Sequence, residues 1–157
     1  MSTKIEQLAS LKKSLVHPAR TTIAAALSLL VARGLGLPEV YWAPISTLIV
    51  MQSTLGAALT ISWQRLVGTA LGSAAGALLA ACFGSSLIAF CAGVFGMGLL
   101  CAALRLDRAA YRFAGITLAV VMLVAHAESV SAVAIHRFVE VSLGIAVGVI
   151  VTALWPE

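Results

Sequence analysis

Between Arg65 and Arg105 the chain runs for thirty-nine residues, Leu66 to Leu104, without a single charge. Its one break is the tripeptide Gly84-Ser85-Ser86, flanked by apolar runs at 65–83 and 87–104. A helix that crosses a bilayer needs about 20 predominantly apolar residues. The stretch therefore accommodates two such helices, and a three-residue link between them leaves only an antiparallel hairpin.

The rest of the chain follows the same rule. Hydrophobic residues make up 61% of the 157 positions and charged ones 10%, against about 45–50% and 25% in soluble domains. Apolar segments near 18–36, 41–61, 65–83, 87–104, 109–126 and 132–155 are divided by polar or Gly/Pro clusters. Only helices and closed barrels satisfy backbone groups in lipid, and none of these runs alternates as a barrel strand would. The expected fold is an all-α integral membrane protein with six transmembrane helices, occupying residues 18–157 as one domain with the lipid bilayer around it. Residues 1–17 differ: Ile5, Leu8, Leu11 and Leu15 recur at helical spacing among Lys4, Lys12 and Lys13, and Thr3 and Glu6 suit a capping box. They read as an amphipathic interfacial helix. A cleaved signal peptide fits less well, because the first apolar run starts only near Thr21 and no small-residue cleavage site follows.

Orientation follows from the basic residues. Lys4, Lys12, Lys13, Arg20, Arg65, Arg105, Arg108 and Arg112 fall on one side of the six segments, and only Arg33 and Arg137 on the other. By the positive-inside rule both termini are cytoplasmic, in a membrane of the bacterial inner or plasma type. Trp63 and Trp155 then belong to the inner aromatic belt, Tyr41 and Trp42 to the outer. The net charge of +4 is scattered over helix ends rather than gathered on a face, so nucleic acid is not an expected partner. Cys82, Cys91 and Cys101 lie singly in apolar runs and read as small buried hydrophobes.

The segments also resemble one another. A slide of 70 residues pairs Leu29, Leu30, Ala32, Tyr41, Thr47, Leu48 and Val50 with Leu99, Leu100, Ala102, Tyr111, Thr117, Leu118 and Val120. A slide of 72 pairs Arg65, Val67, Leu71, Gly72, Ala74 and Gly76 with Arg137, Val139, Leu143, Gly144, Ala146 and Gly148. Self-similarity in consistent order marks duplicated units, here about 18–83 and 87–157. Three helices per unit is an odd number, so the two copies enter the membrane from opposite sides as inverted repeats. Arg65 would then open the third helix at the inner face and Arg137 the sixth at the outer. Gly68, Gly72 and Gly76, with Gly144 and Gly148, form small-residue ridges that let backbones approach, which places the third and sixth helices centrally.

The string "YWAPISTLIVMQSTLGAALTISWQRLVGTALGSAAGALLA" from Tyr41 to Ala80, followed by "RFVEVSLGIAVGVIVTALWP" from Arg137 to Pro156, resembles the membrane module of the fusaric acid resistance protein-like, or aromatic acid exporter, family. Tyr-Trp-Ala at the start of the second helix carries the likeness, with Val-Met-Gln within it. Arg-Leu-x-Gly-Thr-x-x-Gly at the third and Arg-Phe-x-Glu-x-x-x-Gly at the sixth complete it. The resemblance implies export of aromatic or other organic acids. Through the related aluminium-activated malate transporters, it implies an anion pathway between two six-helix subunits. Family members known as efflux pumps carry two such modules and large cytosolic domains, whereas one module stands here, so a homodimer or higher homo-oligomer is expected. Ser53 stands where the family leads one to expect a proline.

Arg65 and Arg137 are the candidate contacts for a small organic anion, since rings of Arg or Lys set anion selectivity in pores. The competing view makes them anchors, with Arg137 snorkelling and paired to Glu140 one turn on. Gln52, eleven residues into the expected second helix, falls about 16 Å along it, near mid-bilayer, and is a candidate to line the path. Glu140 and His136 are candidates for proton coupling. His136 and Glu140, with His126 and Glu128, share a spacing too generic for a metal site. No cofactor and no enzymatic activity are expected, because no nucleophile stands beside a base and no phosphate loop follows a strand. The alternative to transport is a membrane scaffold or accessory subunit of an efflux complex. Proton-coupled export of a neutral compound is a third reading.

Overall fold

A computed structural model describes residues 2–52, 54–124 and 129–155, with side chains from Leu15 onward apart from that of Val124. The described residues form six helices and no strand: α1 (Ser2–Gly34), α2 (Trp42–Val50), α3 (Leu55–Phe83), α4 (Leu87–Ala103), α5 (Arg108–Val124) and α6 (Val130–Leu154). Their number matches the expected six, and α4 and α6 keep their expected bounds to within about two residues, but α2 and α3 do not. Among the described residues, Leu15–Gly34 within α1, α3 and α6 are long and apolar enough to cross a membrane, with α4 a shorter apolar helix. α1 runs through Pro18, where the interfacial and membrane segments were expected to part. The side chains of the proposed amphipathic stretch up to Ser14 lie outside the described residues, as do Ser53, His126, Glu128 and Pro156.

The largest departure is the second helix. An uninterrupted run over 41–61 was expected, yet α2 spans 9 residues and the next helix begins at Leu55. Pro44 sits in the first turn of α2, where its missing N–H costs nothing. Past Val50 the backbone turns extended at Met51, and Thr54 caps α3 by accepting the Ala57 amide on its side chain at 3.3 Å. Residues 62–64, read as a gap, are helix interior, as is Arg65, which was expected to open the third helix. The Gln64 amide donates to Asp107 at 2.6 Å, and Arg65 reaches Ser46. The hairpin link is as expected: Gly84, at φ 62°, closes α3 with its N–H on Ala80, and α4 packs back on α3.

Polar and apolar groups are distributed as a lipid environment demands. Leu87, Ile88, Phe95 and Leu154 are at least 70% exposed, while Arg20, Ser46, Thr47, Thr69, Arg137 and Glu140 are buried. Large apolar residues coat the outside while Arg20, Arg65, Arg137 and Glu140 sit within, the reverse of a soluble domain; Arg33, Arg105, Asp107, Arg108 and Arg112, at or near helix ends, are exposed. Of the three cysteines only Cys101 is buried; Cys82 and Cys91 face outward, a correction to the reading from their apolar neighbours.

Four helices carry the architecture: α3 packs most closely on α5 and on α6, and α6 on α2. A Cβ on Gly72 would strike the Ala114 carbonyl oxygen and lie 2.9 Å from Thr117 Cβ, and one on Gly144 would strike the Ala43 carbonyl oxygen and lie 2.6 Å from Ser46 Cβ. Gly68 and Gly76 extend the first contact and Gly148 the second. The two contacts correspond: adding 72 converts Gly72 and Gly76 to Gly144 and Gly148, and adding 71 converts Ala43, Ser46, Thr47 and Val50 to Ala114, Thr117, Leu118 and Val121. The contacts thus equate α2 with α5 at an offset of 71, not the 70 of the sequence slide, because identities among Ala and Leu recur by chance while packed faces do not. Two grooves beside the α3–α6 contact correspond likewise. In one, Ser73, Ala74 and Ala77 face Ala134, Ile135 and Phe138; in the other, Ile145, Ala146 and Val149 face Ser62, Trp63 and Leu66.

Arg20, counted among the basic residues of the cytoplasmic side, is fully buried. Its guanidinium donates to the Gln52 carbonyl at 2.6 Å and to the Trp155 carbonyl at 2.7 Å. These carbonyls lie just beyond the C-terminal ends of α2 and α6, where the helix dipoles favour a cation. One side chain on α1 therefore closes two helices that the chain places 103 residues apart.

Two expectations about stability follow. Gly72→Ala and Gly144→Ala each destabilise by about 1–3 kcal/mol through overpacking. Gly56→Ala and Gly115→Ala, where an added Cβ meets nothing, are neutral to stabilising; thermal unfolding in detergent separates the two groups. By the same assay Arg20→Met, which leaves two part-buried carbonyls unmet, loses about 1–3 kcal/mol, and Arg20→Lys restores only part of it because one ammonium does not reproduce the guanidinium fork.

Candidate functional site

Where α2 begins, residues from four parts of the chain converge. Gly144 and Gly148 bring α6 against α2, and this sets Arg137 beside Trp42; its guanidinium lies 3.9 Å from the centroid of the indole. Arg137 Nη2 donates to Glu39 Oε2 at 2.5 Å, and Nη1 stands 4.0 Å from Glu140 Oε2. Glu140 is fully buried and its Oε1 accepts the backbone N–H of Glu39 at 2.9 Å. Glu39 thus meets the pair twice, with its carboxylate on the arginine and its amide on the glutamate.

A second arginine stands in the same relation to an aromatic ring. Arg65 lies 4.9 Å from the Phe113 centroid, as the packing of α3 on α5 requires, and Nη2 donates to Ser46 Oγ at 3.0 Å. The offsets that relate the glycine contacts relate these too, since adding 72 to Arg65 gives Arg137 and adding 71 to Trp42 gives Phe113. Even the supporting hydroxyls correspond. Ser46 donates to the Trp42 carbonyl at 2.8 Å and Thr117, 71 residues on, to the Phe113 carbonyl at 2.9 Å. The two arginines are linked through α2: Arg65 bonds Ser46, and Ser46 packs against Gly144, two turns on from Arg137.

The acids do not correspond. Subtracting 72 from Glu140 gives Gly68, and adding 71 to Glu39 gives Ala110, and these two pack directly together. Arg65 consequently has no carboxylate partner among the described residues, although it is only 5% exposed. Cation–π contact and one hydroxyl offset part of the cost of burying it, but a buried charge is ordinarily paired.

The sequence-derived candidates therefore separate. Arg65 and Arg137 share the site, but neither is at a helix start. Arg65 is ten residues beyond Leu55 and Arg137 seven beyond Val130. Arg137, 2% exposed, and Glu140 do not snorkel to an interface. His136 is half-buried one turn before Glu140 and within electrostatic reach of it. Gln52 follows the end of α2 rather than lying midway along a span; its side-chain amide donates to Ile49 at 3.2 Å and its carbonyl accepts from Arg20. Trp42, expected in the outer belt, is the ring beneath Arg137. Sequence reasoning missed Glu39, Ser46 and Phe113. Glu39 left a signal, as the one acidic residue between Glu6 and Asp107.

Neither a curated protein nor a solved structure matches the chain. Residues 23–151, which include every member of this site and both glycine contacts, match the family described as fusaric acid resistance protein-like. With four-fifths of its length inside that match, and with charges enclosed by apolar helices, the chain belongs to the fusaric acid resistance protein-like family of transporter-related membrane proteins.

Proposed function

We propose that the protein is a transporter or channel that exports aromatic or other organic acid anions, with Arg65 and Arg137 receiving the carboxylate. The observation that carries this reading is Arg65, a buried guanidinium that no carboxylate meets among the described residues. An ionisable group inside a membrane domain is costly and marks a substrate path, and the partner Arg65 lacks is an anion. The family description, which refers to resistance to an organic acid, agrees with that chemistry. Phe113 and Trp42 beside the two guanidiniums suit an aromatic ring attached to the carboxylate. In this reading Gln52, just beyond the end of α2, lines the path, and His136 and Glu140, one turn apart on α6, are the candidates to couple a proton to the flux.

The recurrence of contacts at offsets of 71 and 72 supports two inverted three-helix repeats, α1–α3 and α4–α6, with the site where they meet, as in many transporters. An inner-membrane location with cytoplasmic termini draws on the basic residues. Once the buried Arg20, Arg65 and Arg137 are set aside, Lys4, Lys12, Lys13, Arg105, Arg108 and Arg112 remain on one side against Arg33 on the other. Assembly as a homo-oligomer draws on the open α3–α6 face, where the Ser62 and Ser73 hydroxyls are buried with no hydrogen-bond partner among the described residues.

A scaffold role has one observation in its favour, that the Arg137 charge is already met by Glu39. Flux of labelled 4-hydroxybenzoate in proteoliposomes separates the two readings. Arg65→Gln and Arg137→Gln, at matched reconstitution, are expected to lower flux about 10- to 100-fold, the range for losing a hydrogen bond to a charged group. Wild-type flux no higher than in empty liposomes, with malate and chloride also excluded, would leave the scaffold reading in its place.

A further inference from the structure

We propose that Glu39 is a tethered carboxylate that holds the Arg137 position against the transported anion and must leave it before an anion binds there. The inference rests on the transport reading and concerns which residue controls access to the site. Three features of the structure converge on it.

The first is position. Glu39 lies on the linker between α1 and α2, and its side chain is 28% exposed where that of Arg137 is 2%. Of the two carboxylates beside the guanidinium, Glu140 is fully enclosed and only Glu39 reaches the surface. The second is attachment. The Glu39 amide is fixed to Glu140 Oε1 at 2.9 Å, so the backbone stays in place while the carboxylate, joined to it by two methylenes, is able to turn outward. The third is asymmetry. The arginine, the aromatic ring and the hydroxyl all have counterparts in the other half of the chain, but Glu39 and Glu140 correspond to Ala110 and Gly68. Of two cationic positions that correspond in arginine and ring, one is left without an acid and the other is covered by Glu39.

A carboxylate on Arg137 is chemically what a carboxylate substrate would be, so the two compete for the same donors. If the pair is closed nine-tenths of the time, apparent affinity at Arg137 falls about tenfold. Glu39→Gln keeps the backbone bond to Glu140 and the side-chain length while removing the charge.

The test is equilibrium binding of radiolabelled benzoate to the purified full-length protein, in four forms: wild type, Glu39→Gln, Arg137→Gln and the double variant. Binding about tenfold tighter in Glu39→Gln than in wild type, with no such gain in the Arg137→Gln background, is the expected result. Equal or weaker binding in Glu39→Gln overturns the inference, as does an equal gain without Arg137 or an absence of binding in all four forms. Benzoate flux through the first two forms keeps the two proposals apart. Wild-type flux with unchanged binding in Glu39→Gln removes the role of Glu39 alone. Tighter binding in Glu39→Gln with no flux in either form removes transport and leaves Glu39 guarding an anion site.

Discussion

Two helix pairs approach to backbone distance, and the interior of the protein is arranged around that approach. Where Gly72 meets the Ala114 carbonyl, and Gly144 the Ala43 carbonyl, no side chain fits between the helices. Lipid supplies no hydrophobic drive for helices to associate, so close packing of this kind is what holds them. It also sets the register of everything further along. The same contacts that seat α5 on α3 carry Phe113 to Arg65, and those that seat α2 on α6 carry Trp42 to Arg137. A buried guanidinium needs a ring face or an acceptor beside it, and here the glycine contacts bring a ring to each.

That arrangement has unequal consequences for the two arginines. Arg137 is ringed by an indole and two carboxylates, and its neutralisation is local. Arg65 has the ring and a serine hydroxyl, which leaves its charge uncompensated among the described residues. Separating like charges by low-dielectric protein does little to shield them from each other, so the two arginines together make a focus of positive potential within the apolar bundle. The architecture is symmetric, whereas the electrostatics is not.

The glycine ridges, the paired arginines and the central place of the third and sixth helices were legible in the sequence, because small residues at helical spacing and charges in apolar runs have few explanations. The end of α2 was not. Met51 to Thr54 is less polar than Trp63 to Arg65, yet the helix is interrupted there and not at the arginine, because Gln64 and Arg65 find partners at Asp107 and Ser46. Those partners lie on other helices, beyond what local pattern reports. The role of Arg20 was hidden for the same reason: near a basic N-terminus it counts as one more positive charge, and only the folded chain brings Gln52 and Trp155 to it. Glu39 was set apart by its rarity and passed over because it sits in a linker, where a lone acid looks solvated.

The length of the central helices bears on how the molecule meets its membrane. α3 has 29 residues and α6 has 25, or about 43 and 37 Å at 1.5 Å per residue, against a hydrocarbon core of about 30 Å. Both exceed that thickness, so each must either tilt or carry its ends into the headgroup layers. Because α3 packs on α6, the course one helix takes constrains the other, and the thickness of the bilayer acts on the pair rather than on single helices.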